Sequence, residues 1–301
     1  MKTCFSTSLN PLMIGLPGPE LTKDDEQRLL RIKPASVILF TRNFVSVSQI
    51  KSLIQKVKEL LPGVLIAVDH EGGRVVRFPE HLPPLPAPRT FGEERNTKKM
   101  FEAAKIAAYA LKDWGIDLNL APVVDILMPS SHPRMIDRCF GSDPELISDM
   151  ANAFIEGMHQ GGILCCAKHF PGVGPAELDP HETDTIVKTT KKEQEYHLKP
   201  FKSAIKSNVE CIMISHIKYL GIDPDSPATL SKTIITDILR DELGFSRTIL
   251  SDDLEMSAIQ KAYSMEEAAE RALKSGCDIL LSCKDTSLQD RAFNTLCNRS
   301  L

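Results

Sequence analysis

The sequence predicts an α/β fold, one (β/α)8 TIM-type barrel forming a single domain over residues 1–301. Three observations predict it. Eight short apolar, β-branched runs recur along the chain, each the length of a strand buried on both faces. Stretches with helical spacing lie between them, and strands alternating with helices imply a parallel sheet. Polar residues collect just after the runs, which is where an α/β barrel keeps its site.

The runs cover residues 12–16, 36–40, 64–69, 118–125, 163–169, 211–216, 248–252 and 277–282. Between the second and third, Ile50, Leu53, Ile54, Val57 and Leu61 make an amphipathic stripe. Met150, Ala153, Phe154 and Met158 make another between the fourth and fifth, as one apolar face of a helix requires. Asp143-Pro144 reads as an N-cap followed by proline at the first helical position. Ser264 with Glu267 reads as a capping box. Eight units favour a closed barrel over a doubly wound sheet, which usually has five or six strands and a Gly-rich first turn. The first turn here, GLPGPE, is no dinucleotide fingerprint.

Composition agrees. The 301 residues carry 36 basic and 40 acidic side chains, a net charge of −4, with 42% hydrophobic and 25% charged residues. These are ordinary globular values. Two domains of about 150 residues would fit the length, as would one barrel of about 250 or more. Without clustered Lys and Arg, a nucleic-acid partner is not expected. None of the eight cysteines forms a CxxC pair, and Cys165, Cys166, Cys211, Cys277 and Cys283 lie in or beside apolar runs. They read as small buried hydrophobes in a reducing compartment. The first residues lack a continuous apolar core, and no run of about 18 apolar residues occurs. A soluble, cytoplasmic protein with no membrane partner is expected.

The residues after each run are Thr41-Arg42-Asn43, Asp69-His70-Glu71, Asp125, Lys168-His169, Ser215-His216 and Asp252-Asp253. Burying so many polar groups at strand ends is costly unless they face a solvated cleft or one another. For Asp125 and Asp253 the competing reading is a cap on the following helix.

Two segments sharpen the reading. In DHEGGRVVRF, residues 69–78, an acid leaves a strand, Gly72-Gly73 permit positive φ and close backbone approach, and Arg74 and Arg77 follow. Such a turn holds sugar hydroxyls against a carboxylate or is simply an ion-paired turn. KHFPGVGPAELDPHETD, residues 168–184, is punctuated by Gly and Pro and reads as a loop. Pro180 biases Asp179 to an extended conformation, and residues i and i+2 of extended chain project to one side. Asp179 and His181 can therefore face each other, giving a carboxylate-oriented imidazole fit for general acid/base work, against the plainer reading of a surface histidine.

In this order, ILFTRN, VDHEGGRVVRF, LNLAPVVD, DRCFGSDPE, KHFPGVG, DPH and SDDLEM resemble glycoside hydrolase family 3. The resemblance is nearest to the single-domain bacterial β-N-acetylglucosaminidases that recycle cell-wall fragments, and it runs from about residue 14 to about 282. It implies a β-N-acetylhexosaminidase, a retaining exo-enzyme removing terminal non-reducing β-linked N-acetylglucosamine from anhydromuropeptides. It implies Asp252 as nucleophile and His181, oriented by Asp179, as acid/base. Asp69, Arg77, Arg138, Lys168 and His169 match the positions that hold the sugar ring and its substituents. Single-domain members take their acid/base from this same loop. The expected partner is the small carbohydrate alone, bound by a monomer, with no cofactor and no metal.

There are departures: Val173 and Pro175 stand where the family loop commonly has His and Asp, Pro180 where Ser is frequent, and His70 where Gln is usual. The implied chemistry is a two-step displacement that preserves anomeric configuration. Four alternatives stand beside it: phosphorolysis by the same residues, since a neutral imidazole would not repel phosphate; a broad β-glucosidase; a Schiff-base aldolase on Lys168; and a sugar-binding barrel without turnover. No HxH or HExxH spacing suggests a metal.

Overall fold

The computed structural model describes residues 4–176 and 186–297. Eight strands close into a barrel in chain order, and every neighbouring pair is parallel. They are β1 (Asn10–Gly15), β2 (Pro34–Leu39), β3 (Leu65–Val68), β4 (Leu118–Asn119), β5 (Leu164–Phe170), β6 (Cys211–Ile214), β7 (Thr248–Asp253) and β8 (Ile279–Ser282). Each overlaps one of the eight runs expected from the sequence. The barrel helices are α1 (Lys23–Ile32), α2 (Val47–Leu60), α3 (Thr97–Asp113), α4 (Pro144–Gln160), α5 (Lys191–Lys206), α6 (Thr233–Glu242), α7 (Met265–Ser275) and α8 (Thr286–Cys297). One follows each strand, and α6 is wound as a π-helix.

Strand alternation divides the core in two. Met13, Ala35, Ile38, Ala67, Leu118, Cys166, Met213, Leu250 and Leu281 fill the barrel interior. Their sequence neighbours, such as Leu12, Ile14, Cys165, Ile212 and Ile214, pack outward against the helices. This period of two is what a strand buried on both faces produces. The five cysteines expected to be buried are buried, and all eight carry free thiols. Phe5, from the segment before β1, belongs to the interior group and plugs the barrel from its N-terminal end.

Local signals place the helices. Asp143 accepts a hydrogen bond from the Glu145 amide with Pro144 next to it, as expected. Ser264 accepts from the Glu267 amide at 3.2 Å, the Ser half of the expected box.

The fourth run needs correction. Expected as a strand over 118–125, it is regular only at Leu118–Asn119. Pro122 has no N–H to give the ladder. The chain instead follows β5 irregularly, with Cys166 N donating to Ala121 O and Val124 N to Lys168 O. Beyond the barrel, residues 186–190 form a strand that pairs with 218–221, which pairs in turn with 223–227. This small sheet ties the segments after β5 and β6 together.

Candidate active site

A cavity of about 440 Å³ opens at the C-terminal ends of the strands. Seven of the eight strands, or the residues just after them, supply its wall: Ile38, Asp69, Leu120, Lys168, Met213, Asp252 and Leu281 mark the seven in chain order. The volume falls in the ordinary range for small-ligand sites.

Its charged wall starts from β3. Asp69 and Glu71 sit two residues apart in extended chain and both line the cavity. Lys168, from β5, donates to Asp69 Oδ1 at 2.9 Å and to Glu71 Oε1 at 2.6 Å. Arg77 donates to Asp69 Oδ2 at 2.8 Å. Arg138 grips Glu71 with two parallel bonds, Nε to Oε2 at 2.7 Å and Nη2 to Oε1 at 2.8 Å, the geometry that makes guanidinium–carboxylate pairs strong. Burial alone would raise both carboxyls, but Lys168 and Arg77 hold Asp69 below its ordinary range, and Arg138 and Lys168 hold Glu71 well below it. Burial would likewise lower the cations, yet Asp69 and Glu71 raise Lys168, and Glu71 raises Arg138. All four stay charged at neutral pH.

Glu71 is the hub of this cluster and is almost wholly inaccessible. Sequence reasoning placed it at a strand end but gave it no role. The signal was there: the i, i+2 rule applied to Asp179 and His181 applies equally to Asp69 and Glu71. Removing one partner of a buried ion pair leaves the others unpaired, which typically costs about 3–5 kcal/mol. Glu71→Ala is therefore expected to lower unfolding free energy by about that amount, measured by urea titration, and to cut kcat/KM because Lys168 and Arg138 lose their anchor. An unchanged midpoint would overturn the hub assignment.

His70, between the two acids, belongs to the opposite face of the chain. It is fully buried, neither ring nitrogen has a partner among the described residues, and burial pushes it down to about 4. It contributes volume and no charge at neutral pH. Its backbone exchanges two bonds with the Asn119 side chain, both at 2.9 Å.

His169 is held by Asp125. Its Nδ1 lies 2.8 Å from Asp125 Oδ2, and Asp125 Oδ1 accepts from the Val173 amide at 2.8 Å. Facing an acceptor, Nδ1 carries the proton, so Nε2 can accept from Arg138 Nη2 at 3.4 Å. Asp125 thus caps no helix; it orients His169 and pins the KHFPGVG turn. The pin uses a backbone amide, so valine at position 173 serves as well as any other non-proline residue.

The DHEGGR turn is an ion-paired turn, the second of its two sequence readings. Gly72 has φ of 106°, and a Cβ there would sit 2.3 Å from the Pro86 carbonyl oxygen. Arg77 reaches into the cluster, while Arg74 pairs with Asp137 at the cavity rim, Nε to Oδ1 3.0 Å. The end of β2 is different. Arg42 and Asn43 hold the carbonyls of Leu16, Gly18 and Cys283, so they brace neighbouring loops and take no part in the cavity wall.

At the end of β7 the two aspartates differ. Asp253 Oδ1 accepts from the Glu255 amide at 3.1 Å and the Cys283 amide at 3.3 Å. Burial, with Glu255 and Asp252 nearby, pushes it up to about 7. It braces a turn and is a poor nucleophile when half protonated. Asp252 stands in the cavity wall, one oxygen accepting from its neighbour's amide at 2.8 Å. His216, named at a strand end but given no role, also lines the cavity. Its Nε2 is 2.8 Å from the Asp253 carbonyl and its Nδ1 2.7 Å from Thr229 Oγ1. It therefore fixes the backbone that carries Asp252.

The structure thus brings Asp69, Arg77, Arg138, Lys168, His169 and Asp252 into one cavity. Asp179 and His181, with Glu177 and Glu182, lie outside the described residues. Among the described residues no group of three His, Cys, Asp or Glu side chains is placed to hold a metal, and no helix is long and apolar enough to cross a membrane.

Fixed donors and acceptors line one cavity with the Asp252 carboxylate, which is what a polyhydroxylated ligand and an anomeric carbon require; the fold and site are those of a barrel glycosidase. Residues 13–298 match the family model described as Glycosyl hydrolase family 3 N terminal domain, and the chain belongs to glycoside hydrolase family 3. It is 40% identical to a β-hexosaminidase of Idiomarina loihiensis over 91% of this chain and 84% of that one. It resembles native NagZ from Neisseria gonorrhoeae with a TM-score of 0.88 and 33% identity, covering 95% of this chain and 84% of that one. A structure of the same NagZ in complex with N-trifluoroacetyl-D-glucosamine matches with a TM-score of 0.89 at 32% identity, covering 97% of this chain and 89% of that one.

Proposed function

We propose that the protein is a retaining exo-β-N-acetylglucosaminidase that removes terminal, non-reducing β-linked N-acetylglucosamine, with peptidoglycan-derived anhydromuropeptides as its substrates. The observation that carries the reading is the single cavity in which Asp252 shares a wall with the Asp69–Lys168–Glu71–Arg138 cluster. A similar structure with an N-acyl glucosamine analogue bound supports the choice of sugar. Asp252 attacks the anomeric carbon and expels the aglycone, whose oxygen His181 protonates. Water, deprotonated by the same imidazole, then displaces Asp252, and two inversions give net retention. Asp179 orients that imidazole.

The cluster binds the sugar. Asp69 accepts from ring hydroxyls while Lys168 and Arg77 donate to them, and Arg138 and His169 face the remaining substituents. Since this arrangement is locked by ion pairs before substrate arrives, its polar groups pay little reorganisation on binding.

The test is product analysis with a chromogenic N-acetylglucosaminide and the matching glucoside, each with and without phosphate. Free N-acetylglucosamine in the β configuration at first release is expected, unaffected by phosphate, with the glucoside used at least about 100-fold less well, the discrimination available to a site that hydrogen-bonds a substrate group. Equal use of both sugars identifies a broad β-glucosidase, and a phosphorylated sugar identifies a phosphorylase.

A further inference from the structure

The far end of the barrel carries chemistry that sugar hydrolysis does not use. The segment before β1 enters the barrel from its N-terminal face, where Phe5 joins the interior core and Cys4 packs at its edge. Cys4 Sγ lies 3.9 Å from Cys211 Sγ, at the first residue of β6, although 207 positions separate them in sequence. Thr248 Oγ1, at the start of β7, is also 3.9 Å from Cys4 Sγ. Cys211 is fully buried, whereas Cys4 keeps part of its surface in solvent. A second cavity, of about 220 Å³, lies beside them at this face, lined by Phe5, Thr7, Thr248 and Ile279 among others.

We propose that Cys4 and Cys211 are a peroxide-responsive thiol pair that closes to a disulfide and staples the N-terminal segment to the floor of the barrel. The two sulfurs are in van der Waals contact, and closing to a bond of about 2.05 Å needs movement only of the short segment before β1, which no strand ladder holds. Access is asymmetric, as such a pair requires: an accessible attacking thiol and a buried resolving one. The hydrogen bond from Cys211 favours the Cys4 thiolate over its ordinary balance, against the opposing effect of burial, while burial pushes Cys211 up. The electrophile is hydrogen peroxide. The Cys4 thiolate attacks one peroxide oxygen and the O–O bond breaks, giving a sulfenic acid and hydroxide. The Cys211 sulfur then attacks the sulfenic sulfur and expels its oxygen as water, the thiol proton going to the leaving group. Two thiols are oxidised by two electrons and one peroxide is reduced to two waters. The cavity with Asp252 lies at the opposite end of the barrel, so closure changes stability and leaves turnover alone.

Treatment of the reduced full chain with hydrogen peroxide is expected to lower its intact mass by 2 Da. Tryptic mapping without reductant should link the peptide of residues 3–23 to that of 207–218, and dithiothreitol should reverse the link. The melting temperature should rise by about 5 °C or more on closure, since the bridge closes a very long loop. Cys4→Ser, at a partly buried position, should fold, hydrolyse at the wild-type rate and lose both the link and the oxidative rise. Linkage of residues 3–23 to 139–168 instead would place the partner among Cys139, Cys165 and Cys166 and overturn the pairing. A wild-type chain that gains 32 Da at Cys4, with Cys211 still alkylated by iodoacetamide after unfolding, would overturn the disulfide altogether.

Discussion

Asp252→Asn is expected to lower kcat by about four orders of magnitude or more while leaving the circular dichroism spectrum and melting temperature near those of the wild type. Loss of a nucleophile is among the costliest single changes an enzyme can suffer. The fold should survive because the amide oxygen of Asn accepts the bond from the Asp253 amide as well as a carboxylate does. Asp253→Asn should behave differently. Its carboxyl already sits near half protonation at neutral pH, raised by burial and by Glu255 to about 7, so neutralising it removes little charge. A loss within about tenfold is expected there. In Asp252→Gly, azide should restore release of a nitrophenolate and yield the α-glycosyl azide, because the small anion enters from the face the carboxylate occupied. A dead Asp253→Asn beside an active Asp252→Asn would move the nucleophile by one residue.

How far the sequence disclosed this site depended on the kind of order involved. The barrel was legible because its eight strands are buried on both faces, so their apolar runs stand out without any knowledge of pairing. It failed at β4, where Pro122 and the Asn119 side chain replace ladder bonds that no hydrophobic pattern records. Lys168 and Asp69 were legible as strand-end polar residues. Glu71 was passed over because its importance lies in two partners, Arg138 and Lys168, that are distant in sequence. His216 escaped for the same reason: what it holds is a backbone carbonyl at the end of β7, and a carbonyl has no letter in the sequence. Arg42 and Asn43 misled in the opposite direction, since a polar strand end looks alike whether it faces substrate or braces a loop. The thiol pair is a further case. Cys4 and Cys211 share no motif, and only folding sets them 3.9 Å apart.

His181→Ala is expected to separate two classes of substrate. Protonation of the departing oxygen matters most when the leaving group is a sugar alkoxide and least when it is a nitrophenolate, which departs unaided. Loss of a general acid usually costs about 10²–10⁴-fold, and that range is expected for natural disaccharide-type substrates in the glycosylation step. Nitrophenyl glycosides should lose far less in that step, so that the glycosyl-enzyme on Asp252 accumulates and gives a burst of nitrophenolate before slow hydrolysis. Asp179→Ala should act as a weaker version, because it removes the group that orients the imidazole and leaves the proton carrier in place. The order of effects is itself diagnostic: a merely structural histidine would damage both substrate classes alike, and a surface histidine would damage neither. If His181→Ala cleaves both at wild-type rates, the acid must be sought among its neighbours, first at Glu177 and Glu182. If the loss appears but without a burst, His181 assists departure and a second group activates the water, since a single imidazole serving both steps must slow both when it is removed.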